Sequence, residues 1–150
     1  MPQKIFIAMK VPRQGDDERR LIAQMLAESI NRSGREPFIA YQEIQGLGSP
    51  PPQEFMPFVR QAMRSCQLAI ILYDPALRGG LIEAGLAYAE GIPIWLAHTT
   101  GEQVSSSLLG CTEQVLIYRD PADLQEKITQ ALQSLPSSET NSPNRKEPSA

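Results

Sequence analysis

Five short apolar runs alternate with helix-like segments along most of the chain, and this alternation constrains the fold more than any other feature. The runs cover residues 5–9, 37–41, 68–73, 92–97 and 114–118. Short runs rich in branched apolar residues are typical of strands that are buried on both faces. The pattern predicts β-α-β units and a doubly wound, flavodoxin-like α/β fold with five parallel strands.

The segments between the runs carry apolar residues at helical spacing. Residues 45–52 contain two glycines and three prolines and are instead predicted to form a loop. The predicted helices begin near Asp16, at Gln53, at Gly79, at Ser105 and after Pro121.

Right-handed crossovers make 2-1-3-4-5 the economical strand order, with the switch point between the first and third strands. Three loops then lie at one edge of the sheet, namely residues 9–17, 74–80 and 98–104. Because open α/β sheets bind ligands at such a switch point, these loops are predicted to surround one crevice.

The chain has 150 residues, which is enough for one domain, predicted to span residues 1–135. Residues 136–150 are rich in Ser, Pro and charge and are predicted to be a disordered tail. The net charge of −3 supplies no basic field for a nucleic acid polymer. The chain has no uninterrupted apolar stretch of membrane-spanning length and begins with a strand-like run, so a soluble cytoplasmic protein without a membrane partner is expected.

Metal and redox chemistry find little support in the sequence. Cys66 and Cys111 lack metal-ligand spacing and are interpreted as structural thiols. His98 is the only histidine, which excludes a multi-histidine metal site, and no nucleophile elbow accompanies it. We therefore expect neither a metal nor a redox cofactor.

Glu83 is the best indication of function. It follows the third predicted strand and lies in a helix of small residues that Gly79 and Gly80 open, in what is predicted to be the first turn. The helix N-terminus is expected to keep the carboxylate ionised, and an ionised, partly desolvated carboxylate is a competent nucleophile. The glycines leave room for a sugar. The alternative is that Glu83 only caps its helix and that the glycines only form a turn.

Several polar residues of the predicted crevice are candidates for substrate binding. Lys10, Arg13 and Arg78 are candidate phosphate partners, although each is equally interpreted as a solvated surface charge. Ser105 offers a hydroxyl at a helix start, where it also suits an ordinary N-cap. Asp74 lies at a strand end and is a candidate contact for a ribose hydroxyl, while Asp-Pro also simply initiates turns.

The element order, together with the segment that contains Glu83, resembles the nucleoside 2-deoxyribosyltransferase-like superfamily, and within it the 2′-deoxynucleoside 5′-monophosphate N-glycosidases. The resemblance runs from residue 5 to about residue 132. The motif is Gly79-Gly80-x-x-Glu83-x-Gly85-x-Ala87-x-Ala89-x-Gly91-x-Pro93.

The resemblance implies that Glu83 is the nucleophile that attacks the sugar C1′ of a nucleoside or nucleotide. It also implies that Ser105, in a Ser-x-x-x-x-Gly segment, serves the 5′-phosphate from a neighbouring subunit, and hence a homodimer. Two residues depart from the family pattern. Val59 stands where members carry an aspartate that assists the leaving group, and Leu77 replaces a serine. Phosphate recognition would then depend on other donors such as Arg78.

The leading interpretation is therefore an N-glycosidase or 2-deoxyribosyltransferase that acts through Glu83. One alternative is a catalytically inactive relative that binds nucleotides or signals, which Val59 and Leu77 favour. Another is a Toll/interleukin-receptor-like NAD hydrolase with a helix glutamate. A response-regulator receiver is disfavoured because Met9-Lys10 and Tyr118-Arg119 stand where acidic residues and a lysine are required.

Overall fold

The computed structural model of the protein describes residues 2–136, so all of the predicted tail except Pro136 lies outside the described residues. Eleven helices and strands follow one another in these residues. They are β1 (Lys4–Ala8), α1 (Asp17–Arg32), β2 (Glu36–Ile39), α2 (Ala40–Gly46), α3 (Pro52–Arg64), β3 (Cys66–Leu72), α4 (Gly79–Ala89), β4 (Ile94–Thr99), α5 (Ser106–Gly110), β5 (Gln114–Tyr118) and α6 (Pro121–Gln133).

The strands form one parallel sheet in the order β2-β1-β3-β4-β5, which confirms the predicted α/β fold and strand order. β1 pairs with β2 on one side and with β3 on the other. The direction of winding therefore reverses between β1 and β3. The switch point lies there, as predicted.

The sheet is covered by helices on both faces, so the apolar side chains of each strand divide between two cores. Ile5 and Ile7 of β1 belong to the core under α1 and α6. Phe6 and Ala8 belong to the core under α3 and α4. Burial on both faces explains why the strands read as continuous apolar runs rather than as alternating ones.

The structure corrects the prediction for residues 40–46. Ala40 and Tyr41 were predicted to end the second strand, and Gln45 to begin a loop, but α2 starts directly after β2. Ala40 is buried and Ile44, four residues later, packs against the same core. This one-turn spacing, together with helix-favouring glutamine and glutamate, stabilises helix where glycines and prolines follow.

Both cysteines are free thiols, as predicted. Burial among apolar neighbours on β3 raises the pKa of Cys66 to about 11, so this thiol stays protonated and unreactive. Among the described residues, every helix is too short or too polar to cross a membrane.

Candidate active site

A cleft of about 310 Å³ lies at the C-terminal end of the sheet beside the switch point, and we name it the Glu83 cleft. The loop after β1, the first residues of α2 and α3, and the connection from β3 into α4 form its walls. The lining residues are Met9, Lys10, Val11, Arg13, Ala40, Tyr41, Ile44, Phe55, Met56, Ala76, Leu77, Arg78, Gly79, Gly80, Ile82 and Glu83. Six of the predicted site residues meet here, and the other two, Asp74 and Ser105, do not.

Local packing determines where α4 begins and hence where Glu83 stands. The Asp74 carboxylate accepts a hydrogen bond from the Ala76 amide at 2.8 Å, which closes a turn after β3. Leu77 follows and is buried. A Cβ on Gly80 would lie 2.5 Å from the Leu77 Cδ1 atom, so only glycine fits against this side chain. Gly79, by contrast, has open space at its Cβ position. Room for a ligand is therefore present at Gly79 and absent at Gly80.

Glu83 lies just beyond the first turn of α4, whereas the sequence predicted it within that turn. The helix starts at Gly79, so Glu83 is its fifth residue, and the unpaired amides of the N-terminus belong to the preceding turn. The Glu83 Oε2 atom is buried and, within residues 2–136, has no hydrogen-bond partner. The prediction that the helix N-terminus keeps this carboxylate ionised is therefore wrong.

Desolvation instead raises the pKa of Glu83 to about 8. A carboxyl group that leaves water without a donor or cation beside it favours its neutral form. Glu83 is thus mostly protonated at neutral pH in the empty cleft. Strongly shifted carboxyl pKa values in clefts are typical of functional sites, because few structural roles repay such a cost.

Three cationic side chains line the same cleft. Lys10, Arg13 and Arg78 form no ion pair with a carboxylate anywhere in the described part of the chain. Some cations elsewhere on the surface are paired, as where Arg60 and Arg64 both contact Glu90. The cleft therefore offers positive charge to an anion from outside the chain.

Asp74 belongs to a second cleft of about 330 Å³ on the α1 side of the same sheet edge. Its carboxylate accepts a hydrogen bond from Arg19 of α1. Burial alone would raise its pKa, but Arg19 and the Ala76 amide outweigh that effect and hold the pKa of Asp74 below its usual value.

All three predicted loops line the second cleft, as predicted for one crevice, but only loops 9–17 and 74–80 also line the Glu83 cleft. The Arg19–Asp74 ion pair joins α1 to the end of β3 across the switch point. Residues 98–104 contribute Thr99 and Glu102 to the second cleft alone. Lys10 lines both clefts, and its charge helps to lower the pKa values of Asp16 and Asp74.

No protein-family model and no curated protein matches the chain, but solved structures do. The CMP N-glycosidase BcmB of Clostridium botulinum is 18% identical over 86% of this chain and 99% of its own, with a TM-score of 0.70. BlsM is 19% identical over 87% of this chain and 90% of its own, with a TM-score of 0.66. A 2-deoxyribosyltransferase of Bacillus psychrosaccharolyticus is 16% identical over 86% of this chain and 95% of its own, with a TM-score of 0.60. The chain has the nucleoside 2-deoxyribosyltransferase-like fold.

Val59 and Leu77, the two residues that depart from the family pattern, are both buried in the structure. Val59 of α3 is fully buried in the core with Leu77 and Met63, and it does not line the Glu83 cleft. Phe55 and Met56 are the α3 residues that do. Glu83 is consequently the sole carboxyl group among the described residues that line this cleft.

Ser105 caps α5. Its Oγ atom accepts a hydrogen bond from the Leu108 amide at 3.2 Å, and the residue lies outside the Glu83 cleft of its own chain. The structure thus shows the N-cap role for Ser105, and its role toward a phosphate in a neighbouring subunit stays a prediction.

Tyr41, Ile44, Phe55 and Met56 were not predicted as site residues. They form the wall of the cleft that α2 and α3 contribute. The spacing of Ala40 and Ile44 was a signal for α2, and α2 would have brought Tyr41 to the sheet edge. No group of three or more His, Cys, Asp or Glu side chains suited to a metal ion occurs in residues 2–136.

Proposed function

We propose that this protein cleaves the N-glycosidic bond of deoxynucleotides or nucleosides, with Glu83 as the nucleophile. The observation that carries the proposal is the Glu83 carboxyl group, whose Oε2 atom is buried beside a ligand-sized cleft without a hydrogen-bond partner in residues 2–136. A buried, unsatisfied carboxyl group costs several kcal/mol. The solved structures of like fold that belong to an N-glycosidase and to a deoxyribosyltransferase support the same assignment.

In the proposed reaction, a Glu83 carboxylate oxygen attacks the sugar C1′ as the bond from C1′ to the base nitrogen breaks. The electron pair of that bond leaves with the base, and a glycosyl ester forms on Glu83. Water, or a second base in a transferase, then attacks C1′ from the opposite side and restores the carboxylate. Two inversions give net retention at C1′.

The cations of the cleft favour substrates that carry a 5′-phosphate. Arg13 and Arg78 can neutralise a phosphate without first breaking an ion pair with a described residue. α4 has no side-chain cap at its N-terminus, so its first amides are available as additional donors. We therefore expect the monophosphates to be better substrates than the corresponding nucleosides.

The test is to incubate the protein with deoxynucleoside monophosphates, nucleosides and NAD and to measure the free base released. Glu83→Gln is expected to lower the rate by at least about a thousandfold, because the nucleophile is lost. Glu126→Gln, a substitution of an exposed glutamate on α6, is the matched control. Equal rates for the wild type and Glu83→Gln would exclude the proposed reaction, and consumption of NAD alone would favour the NAD hydrolase.

A catalytically inactive nucleotide-binding protein is the second candidate. The observation in its favour is that the described lining of the Glu83 cleft holds a single carboxyl group. This candidate predicts that deoxynucleotides bind to the wild type, as measured by calorimetry, and that no base is released during prolonged incubation at pH 8.5.

A homodimer and a cytoplasmic location complete the proposal. The sequence of α4 contains one charged residue, Glu83, and its outer face leaves Leu81, Ile82 and Tyr88 exposed. A helix that is apolar on all sides is normally covered. A second copy packed on α4 would cover this face and would also bring protein to the mouth of the Glu83 cleft, which Ile82 lines.

A further inference from the structure

Release of a nucleobase requires more than a nucleophile, because the base leaves with an electron pair and takes up a proton. This inference rests on the proposed function. In the Glu83 cleft, the polar side chains among the described lining residues are Lys10, Arg13, Tyr41, Arg78 and Glu83. The question is which of them can deliver that proton.

Four of the five are poorly suited to the task. Glu83 must be a carboxylate in order to attack C1′. Arg13 and Arg78 carry guanidinium groups, which do not serve as proton donors to a leaving base because they do not give up a proton in proteins. Lys10 lies between the two clefts, where its charge contributes to the lowered pKa values of Asp16 and Asp74.

Tyr41 combines a suitable position with an unengaged proton. It is the second residue of α2 and lines the Glu83 cleft together with Gly79 and Glu83. Its hydroxyl oxygen accepts a hydrogen bond from the Gln42 Nε2 atom at 3.2 Å. Within residues 2–136, the hydroxyl hydrogen has no acceptor, so it can be donated to a ligand.

The wall around Tyr41 is otherwise apolar. Ile44, Phe55 and Met56 line the same cleft, and in the described residues no amide or further hydroxyl side chain lines it. Such a wall holds a flat ring by contact and stacking rather than by hydrogen bonds to its edge. The base therefore fits against these apolar side chains, and the phosphate fits near the cations.

We propose that Tyr41 is the proton donor to the departing base and thereby supplies the function that the buried Val59 cannot. As the bond from C1′ to the base breaks, the Tyr41 hydroxyl proton passes to the base and leaves a phenolate. In the hydrolytic half-reaction, the attacking water gives its proton to that phenolate while its oxygen bonds to C1′. Glu83 is released as carboxylate, so protons and electrons balance over the cycle.

The test compares two substrates that share a sugar phosphate but differ in their need for a proton. The base of 2′-deoxyguanosine 5′-monophosphate leaves with assistance from an acid, whereas its N7-methylated form already carries a positive charge and leaves unassisted. Tyr41→Phe is expected to lower kcat/KM about a hundredfold for the first substrate and less than about threefold for the second. Tyr73→Phe is the matched control, because that hydroxyl donates to the Gln103 carbonyl outside the Glu83 cleft.

Each outcome decides the proposal. Equal losses for both substrates would mean that Tyr41 only shapes the cleft, and no loss would mean that another group gives the proton; either result overturns the proposal while leaving Glu83 as the nucleophile. A wild type that is inactive toward both substrates overturns the proposed function and the Tyr41 role together. Thermal unfolding of Tyr41→Phe verifies that the variant is folded.

Discussion

The burial of the Glu83 carboxyl group affects both its proposed role as nucleophile and the stability of the folded protein. Its Oε2 atom is buried without a partner among the described residues, and desolvation raises its pKa to about 8. A nucleophile must be ionised, so the group is reactive only in the form that the empty cleft disfavours. The same shift thus governs both the rate and the stability of the protein as functions of pH.

The first prediction at this scale concerns rate. The pH profile of kcat/KM reports the ionisations of the unliganded enzyme. Because Glu83 must lose its proton before it attacks, kcat/KM for a deoxynucleotide should rise about tenfold per unit between pH 6.5 and about 8 and level off above. Steady-state kinetics in constant ionic strength buffers measure this profile. A flat profile across the same range would contradict a nucleophilic Glu83.

The second prediction concerns stability. The carboxyl group keeps its proton to about pH 8 in the folded state but loses it near 4.5 when unfolded. Between these values the folded state binds more protons, so the free energy of unfolding falls as the pH rises from 4.5 through 8. Glu83→Gln removes this dependence and should exceed the wild type in stability above pH 8 by on the order of 4 kcal/mol.

Urea unfolding at pH 5 and at pH 9 measures the difference, with Glu126→Gln as the exposed control. The two proteins should be nearly equal at pH 5, where Glu83 is protonated in the folded wild type. A Glu83→Gln variant that is no more stable than the wild type at pH 9 would show that the carboxylate finds a partner in solution.

At the scale of elements, the start of α4 depends on close packing of Gly80 against Leu77. A Cβ at Gly80 would force the buried Leu77 side chain to move, since its Cδ1 atom would be 2.5 Å away. We expect Gly80→Ala to lower the free energy of unfolding by about 1–3 kcal/mol. Gly79→Ala meets no atom within 4 Å and should be neutral or stabilising. Denaturant unfolding distinguishes the two, and equal effects would contradict the packing argument.

Some of the helices and strands could be predicted from the sequence and others could not. The five strands and their order were predictable because strands buried on both faces read as apolar runs. α2 was missed because Ile39 continues in extended conformation up to the first helical residue and no capping side chain marks the start. The sequence placed Glu83 near the start of α4. It could not predict the protonation of Glu83, because the raised pKa results from burial that only the folded structure shows.

The division of the sheet edge into two clefts was equally beyond a local pattern. The helices that line each cleft come from distant parts of the chain, and Arg19 and Asp74, which line the second cleft together, are 55 residues apart in the sequence. Arg13, Arg78 and Gly79 meet in one cleft because they follow the C-terminal ends of the adjacent strands β1 and β3, which the strand order alone implies.

For the whole molecule, the exposed face of α4 predicts self-association. Leu81 is 42% exposed on this face, and a charge there should prevent a second copy from packing. Sedimentation of the wild type is expected to give twice the mass of one chain, and Leu81→Glu should sediment as a monomer. Leu47→Glu, at an exposed leucine beyond α2, is the control. A monomeric wild type at micromolar concentration would contradict the dimer.

The central claim is that Glu83 forms a covalent bond to the sugar. The most direct measurement is intact-protein mass spectrometry after incubation with a 2′-fluoro-2′-deoxyarabinonucleoside 5′-monophosphate, whose fluorine slows hydrolysis of a glycosyl ester by destabilising the oxocarbenium-like transition state. The account predicts a mass increase of one fluorinated sugar phosphate, located by proteolysis to the peptide that contains Glu83 and absent from Glu83→Gln. An adduct on another residue, or release of base by Glu83→Gln at the wild-type rate, would contradict it.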